Sequence, residues 1–108
     1  MEIRLTARHV EVPPEIRAYV EAKANKLPRF YDRIHEIEVI FDHESEQFTT
    51  EMIVRAGNKQ TFIAREVGPD AFALIDLVTD KLERQLTKLK EKKRVHKHDG
   101  KGEMPAES

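Results

Sequence analysis

Apolar and polar residues alternate over residues 2–8, with Ile3, Leu5 and Ala7 on one side and Glu2, Arg4, Thr6 and Arg8 on the other. A period of two predicts a half-buried strand. Pro13-Pro14 stops the extended chain, and Pro suits the first helical position, so a helix is predicted from there to about Leu27. Ile16, Val20, Ala24 and Leu27 recur at helical spacing, and Pro28 ends the pattern. Alternation returns through Ile37, Val39 and Phe41, which predicts a second strand over about 35–42. The polar run DHESEQ reads as a turn or loop, and Phe48 to Ala56 as a third strand. Gly57-Asn58 is a hairpin signal, and Lys59 to Glu66 pairs back as a fourth strand holding Phe62 and Ala64. Gly68-Pro69-Asp70 reads as a helix start. Beyond it, Ala71, Ile75, Val78, Leu82, Leu86 and Leu89 form the seam of a long helix to about Arg94.

The order β-α-β-β-β-α predicts an α+β domain of two layers. A four-stranded sheet carries both helices on one face and leaves the other open to water. Residues 1–94 form the domain. From Val95 the sequence offers little to bury, and residues 95–108 are expected to be a flexible C-terminal tail.

Composition narrows the field. Ile, Leu, Val and Phe supply about a quarter of the 108 residues, enough for one modest core. No segment reaches the ~20 apolar residues of a membrane span, and MEIRLTARH lacks a signal-peptide core. With no Cys, disulfides, thiolate catalysis and cysteine zinc sites are excluded together, and a cytoplasmic protein is expected. Charged residues are 36% of the chain, yet the formal net charge is only −1. That near-cancellation hides segregation along the sequence. Residues 35–51 carry six acids, whereas 81–94 carry seven Lys and Arg against two Glu.

Helical projection gives that basic run a direction. Lys81, Arg84, Lys88 and Lys92 fall on one stripe beside the seam, while Asp76, Asp80, Glu83 and Thr87 fall on the opposite flank. Lys90, Lys93 and Arg94 point elsewhere and are expected to matter less. Arg84, Lys88 and Lys92 repeat at four-residue intervals, and like charges so spaced cost a few tenths of a kcal/mol each. A helix selected for stability alone would avoid them. On the first helix Lys23 and Lys26 lie at the edge of the seam, with Arg29 and Arg33 just beyond. If the basic edges of the two helices face each other, they line one groove suited to a phosphate backbone.

No enzyme constellation assembles from these residues. The five His are scattered or in the tail, Asp76 and Asp80 read as solvating charge, and Gly68-Pro69 lacks the rest of a phosphate loop. Phe30-Tyr31 reads as a core corner rather than a base-stacking pair. The residues alone leave open a generic double-stranded RNA binder or a protein-interaction domain using the open sheet face.

KANKLPRFYDRI (23–34) and DAFALIDLVTDKLERQLTKLKEK (70–92), set around a β-β-β segment, resemble the short ribosome hibernation-promoting factors and ribosome-associated inhibitors, the sigma-54 modulation protein family. The resemblance covers about residues 1–94. It implies a fold similar to double-stranded RNA-binding domains. It further implies a non-enzymatic, cofactor-free factor bound to the small ribosomal subunit and the whole ribosome, in the channel of mRNA and the A- and P-site tRNAs. There it would contact 16S rRNA, block translation and keep idle ribosomes inactive, with no membrane or small-molecule substrate involved. The contacts implied are Lys23, Lys26 and Arg33 on the first helix side, and Lys81, Arg84, Lys88 and Lys92 on the second. Longer members append a dimerisation domain that joins two ribosomes, and none is expected in these 108 residues. The length of the tail leaves pairing and single-ribosome inhibition both open. Pro13-Pro14 stands where a hydroxyl or acidic cap is expected.

Overall fold

A computed structural model describes the backbone of residues 1–99 and the side chains of residues 1–90. Strand β1 (Glu2–Arg8) leads into helix α1 (Pro14–Ala24), then a 3-10 turn at Leu27–Arg29. Strands β2 (Ile34–Glu44), β3 (Gln47–Ala56) and β4 (Gln60–Gly68) follow, and helix α2 (Ala71–Asp99) closes the order. The sheet runs β1-β2-β3-β4. β1 and β2 pair in parallel, as a strand–helix–strand crossover requires, and the other two pairs are antiparallel. This is the expected two-layer α+β architecture.

The period-two pattern decides which face is covered. Ile37, Val39 and Phe41 on β2, with Met52 and Val54 on β3, are buried beneath the helices. Register aligns them in rows, Ile37 beside Val54 and Val39 beside Met52. The helices answer with Val20, Ala24 and Leu27 on the α1 side and Ile75, Val78, Leu82 and Leu86 on α2, all fully buried. Tyr31 is buried and Phe30 half-buried against this core, as the corner reading expects. The opposite sheet face stays open. There Arg4 pairs with Glu2 and Glu36, and Arg55 with Glu36 and Glu38, beside exposed Ile63 and Val67.

Several boundaries differ from expectation, each for a local reason. α1 stops at Ala24 because Asn25 takes the cap, its backbone and side-chain amides both donating to Glu21 O. Pro28 then sits inside the 3-10 turn, where its missing N–H is no loss. At the start of α1 no side chain caps the helix; Pro13 O receives the amides of Ile16 and Arg17. β4 continues to Gly68, which leaves Asp70 outside α2 as its cap, Oδ1 accepting the amides of Phe72 and Ala73 at 3.0 and 3.5 Å. The loop expected over DHESEQ shrinks to Ser45-Glu46, both at positive φ, so β2 and β3 are longer than the alternation predicts. In the β3–β4 hairpin the positive-φ pair is Asn58-Lys59, one residue later than expected. α2 continues to Asp99 rather than stopping at Arg94, and the part of the expected tail from residue 100 onward lies outside the described residues.

Candidate nucleic-acid interface

The core seam of α2 fixes where its flanks point. Phe72 stacks edge-on against Tyr19 of α1 at 5.2 Å, and Tyr19 donates its hydroxyl to Asp76 Oδ1 at 2.6 Å. Lys23 of α1 reaches the same carboxylate at 3.1 Å and lies 5.5 Å over the Tyr19 ring. The acid flank of α2 therefore faces α1. The other flank faces the sheet edge: Lys81 pairs with Glu66 of β4, and Gln85 donates its amide to Ile63 O of β4 at 3.2 Å.

This arrangement corrects two expectations. The basic edges of the two helices do not line one groove, because the groove between them presents Asp76 to Lys23. Asp76 is also more than a solvating charge. Hydrogen bonding from Tyr19, and then from Lys23, holds its carboxyl below the usual range. The same bonds raise the Lys23 ammonium and the Tyr19 hydroxyl above their ordinary values. Nothing short of the tertiary contact reveals this, since Tyr19 and Asp76 lie 57 residues apart.

The candidate contacts thus divide. Lys23 is half-buried and ion-paired at the helix–helix seam, while Lys26, between α1 and the 3-10 turn, is exposed. Lys81, Arg84 and Lys88 share the β4-side flank of α2, all exposed. Lys81 is partly neutralised by Glu66, whereas Arg84 and Lys88 have no ion pair among the described residues. The side chain of Lys92 lies outside the described residues. Arg33 sits at the far end of the domain, in the loop before β2. There it lines a cleft with Arg29, Asn58 and Lys90, a residue the projection alone set aside.

At the opposite end of the sheet, His9, Asp42 and Glu44 bring ligand-type atoms within 4.8 Å of one another. His9 Nδ1 is already hydrogen-bonded to Asp42 Oδ1 at 2.9 Å. That bond raises the imidazole and lowers the carboxyl from their ordinary values, and the His9 side chain remains 65% exposed. The His9–Asp42 bond accounts for two of the three, and Glu44 has no ion pair among the described residues.

Together these features define a small two-layer α+β domain with a polycationic helix flank. The sequence profile of the family described as Sigma 54 modulation protein / S30EA ribosomal protein matches residues 3–94, and the chain belongs to that family. It is 34% identical over 96 residues to the ribosome hibernation promoting factor of Escherichia coli K12, an alignment spanning 89% of this chain and all of that one. The ribosome hibernation promoting factor of Azotobacter vinelandii is 33% identical over 108 residues, covering all of this chain and 97% of its own. Among solved structures, a ribosomal subunit interface protein from Coxiella burnetii superposes with a TM-score of 0.74 at 30% identity. That match covers 84% of this chain and 99% of the other. The N-terminal domain of Protein Y from Thermus thermophilus gives a TM-score of 0.75 at 29% identity, covering 82% of this chain and 99% of that domain.

Proposed function

We propose that this protein is a ribosome hibernation factor, acting in the cytoplasm on the small ribosomal subunit within the ribosome. It lies in the mRNA and tRNA channel, contacts 16S rRNA through basic side chains and blocks translation. Membership of the family and the names of its relatives support the role. The observation that carries the mechanism is the α2 flank, where Arg84 and Lys88 stand exposed one helical turn apart with no ion pair among the described residues. Cations at that spacing neutralise successive phosphates without reading bases. Lys81, Lys26 and Lys92 extend the contact, and Lys23 joins it from its place beside Asp76.

The clean test reverses Arg84 and Lys88 together. Lys81 is left alone because an acid there would face Glu66 and confound binding with folding. The wild-type protein is expected to co-sediment with ribosomes and to inhibit translation in an extract. Arg84→Glu/Lys88→Glu should keep its circular dichroism spectrum and lose both activities. Ribosome binding that survives the double reversal would sink this mechanism.

A further inference from the structure

Three cations, two close in sequence and one from α2, converge at the end of the domain where the 3-10 turn, the loop before β2, the β3–β4 turn and α2 meet. Arg29, Arg33 and Lys90, with Asn58, line a cleft of about 490 Å³. We infer that this cleft is a phosphate site that seats one nucleotide unit of an RNA strand, separate from the Arg84–Lys88 flank. The RNA assignment rests on the ribosome-binding reading above; the phosphate chemistry rests on the cleft itself.

Charge is the first argument. The lining sets three cations against one carboxylate, that of Asp32, and none of the three cations has an ion pair among the described residues. Unpaired like charges gathered in one concavity repel, and an anion between them relieves the repulsion. Two of the three are guanidiniums, whose planar donor forks match phosphate oxygens in pairs.

Position is the second. The Arg33 carbonyl accepts the Gly57 amide at 2.9 Å, which ties the loop to the hairpin. A Cβ at residue 57 would come 3.3 Å from Arg33 Cδ, so glycine there lets the arginine stem lie against the turn. Asn58, at φ 62, begins the turn that borders the cleft. The backbone and stem of Arg33 are therefore placed against the turn before any ligand arrives.

Size and lining select the ligand. The volume lies within the range of small-ligand sites and exceeds what a bare phosphate fills. The one aromatic in the wall, Tyr31, is 5% exposed and packs edge-on against Phe62, so it offers no face for a base. Contacts then fall on phosphate and sugar, and no base preference follows. Lys90 is two residues beyond Lys88, hence about 200° around α2 and on the α1 side. One strand touching both surfaces must pass around the end of the helical layer.

Titrations by two-dimensional amide NMR, with inorganic pyrophosphate and separately with a ten-nucleotide oligouridylate, decide the site. Both ligands should shift the amides of Arg33, Gly57 and Asn58, and Arg29→Gln/Lys90→Gln should remove those shifts while the remaining spectrum holds. Absence of shifts with pyrophosphate, or shifts that persist in the double variant, overturns the site. Shifts with pyrophosphate but none with RNA overturn the RNA assignment and point to a free phosphate compound. In co-sedimentation, the Arg29→Gln/Lys90→Gln protein should bind ribosomes roughly five- to tenfold more weakly, the loss expected of one or two phosphate contacts. Unchanged affinity there overturns the inference and leaves the proposed function standing. Failure of the wild-type protein to bind ribosomes overturns the proposed function instead, and the pyrophosphate titration still decides the cleft.

Discussion

Thr50 lies on β3 between Phe41 and Glu66 in the sheet register, fully buried, and its hydroxyl has no hydrogen-bond partner among the described residues. A buried polar atom without a partner carries a desolvation cost with no return, on the order of 1–3 kcal/mol. Valine keeps the branched shape and the strand preference while deleting the orphan. Thr50→Val is therefore expected to stabilise the fold by about 1 kcal/mol, read as a higher urea midpoint at unchanged slope. An equal or lower midpoint would show that the hydroxyl is satisfied in solution. Single residues were legible to different depths. Alternation placed Thr50 on the inward face, since strand geometry leaves only two choices. It gave no partner, because partners come from other strands. Asp76 shows the same limit on a helix: projection gave its angle correctly, and only the packing of α1 supplied Tyr19 and Lys23. Lys90 is the sharper case, discounted on one helix and then found facing residues 29, 33 and 58.

At the scale of elements, the four strands and two α-helices were readable, because hydrophobic period is a local property, whereas the 3-10 turn at Leu27–Arg29 was not. Ends were less so. The six polar residues of DHESEQ concealed a two-residue turn, Ser45-Glu46, with Glu44 paired directly to Gln47. Neither residue suits the left-handed region, where Asn and Gly are the ordinary occupants of such hairpins. The pairing of β2 with β3 imposes the turn against local preference. The double substitution Ser45→Asn/Glu46→Gly should therefore stabilise the protein by about 1 kcal/mol, removing strain at both positions. For a domain of this size that corresponds to a rise in Tm of roughly 4–8 °C. A lower Tm would mean that the added freedom of glycine in the unfolded chain outweighs the relief.

For the whole molecule, the formal charge of −1 conceals a division of surfaces. On the open sheet face Arg4 pairs with Glu2 and Glu36 and Arg55 with Glu36 and Glu38, while Arg65 stands without an ion pair among the described residues. On the acid flank of α2, Asp76 turns to Lys23. Of the cations that have no ion pair among the described residues, Arg84 and Lys88 share the β4-side flank of α2, and Arg29, Arg33 and Lys90 share the end cleft. A polyanion thus meets clustered positive charge at these two places on a molecule that is nearly neutral in sum. The consequence is measurable as a salt dependence. Each phosphate neutralised by a cation contributes roughly 0.7 to 0.9 to the slope of log affinity against log salt. Two substitutions that remove one positive charge each should then differ by location alone. Lys88→Gln is expected to flatten the slope for ribosome binding by about 0.7 to 0.9. Arg65→Gln, on β4 opposite Glu51 and exposed on the open sheet face, should leave the slope as it is. Net charge changes identically in the two proteins, so equal slopes would mean that overall charge, rather than the α2 flank, governs the encounter.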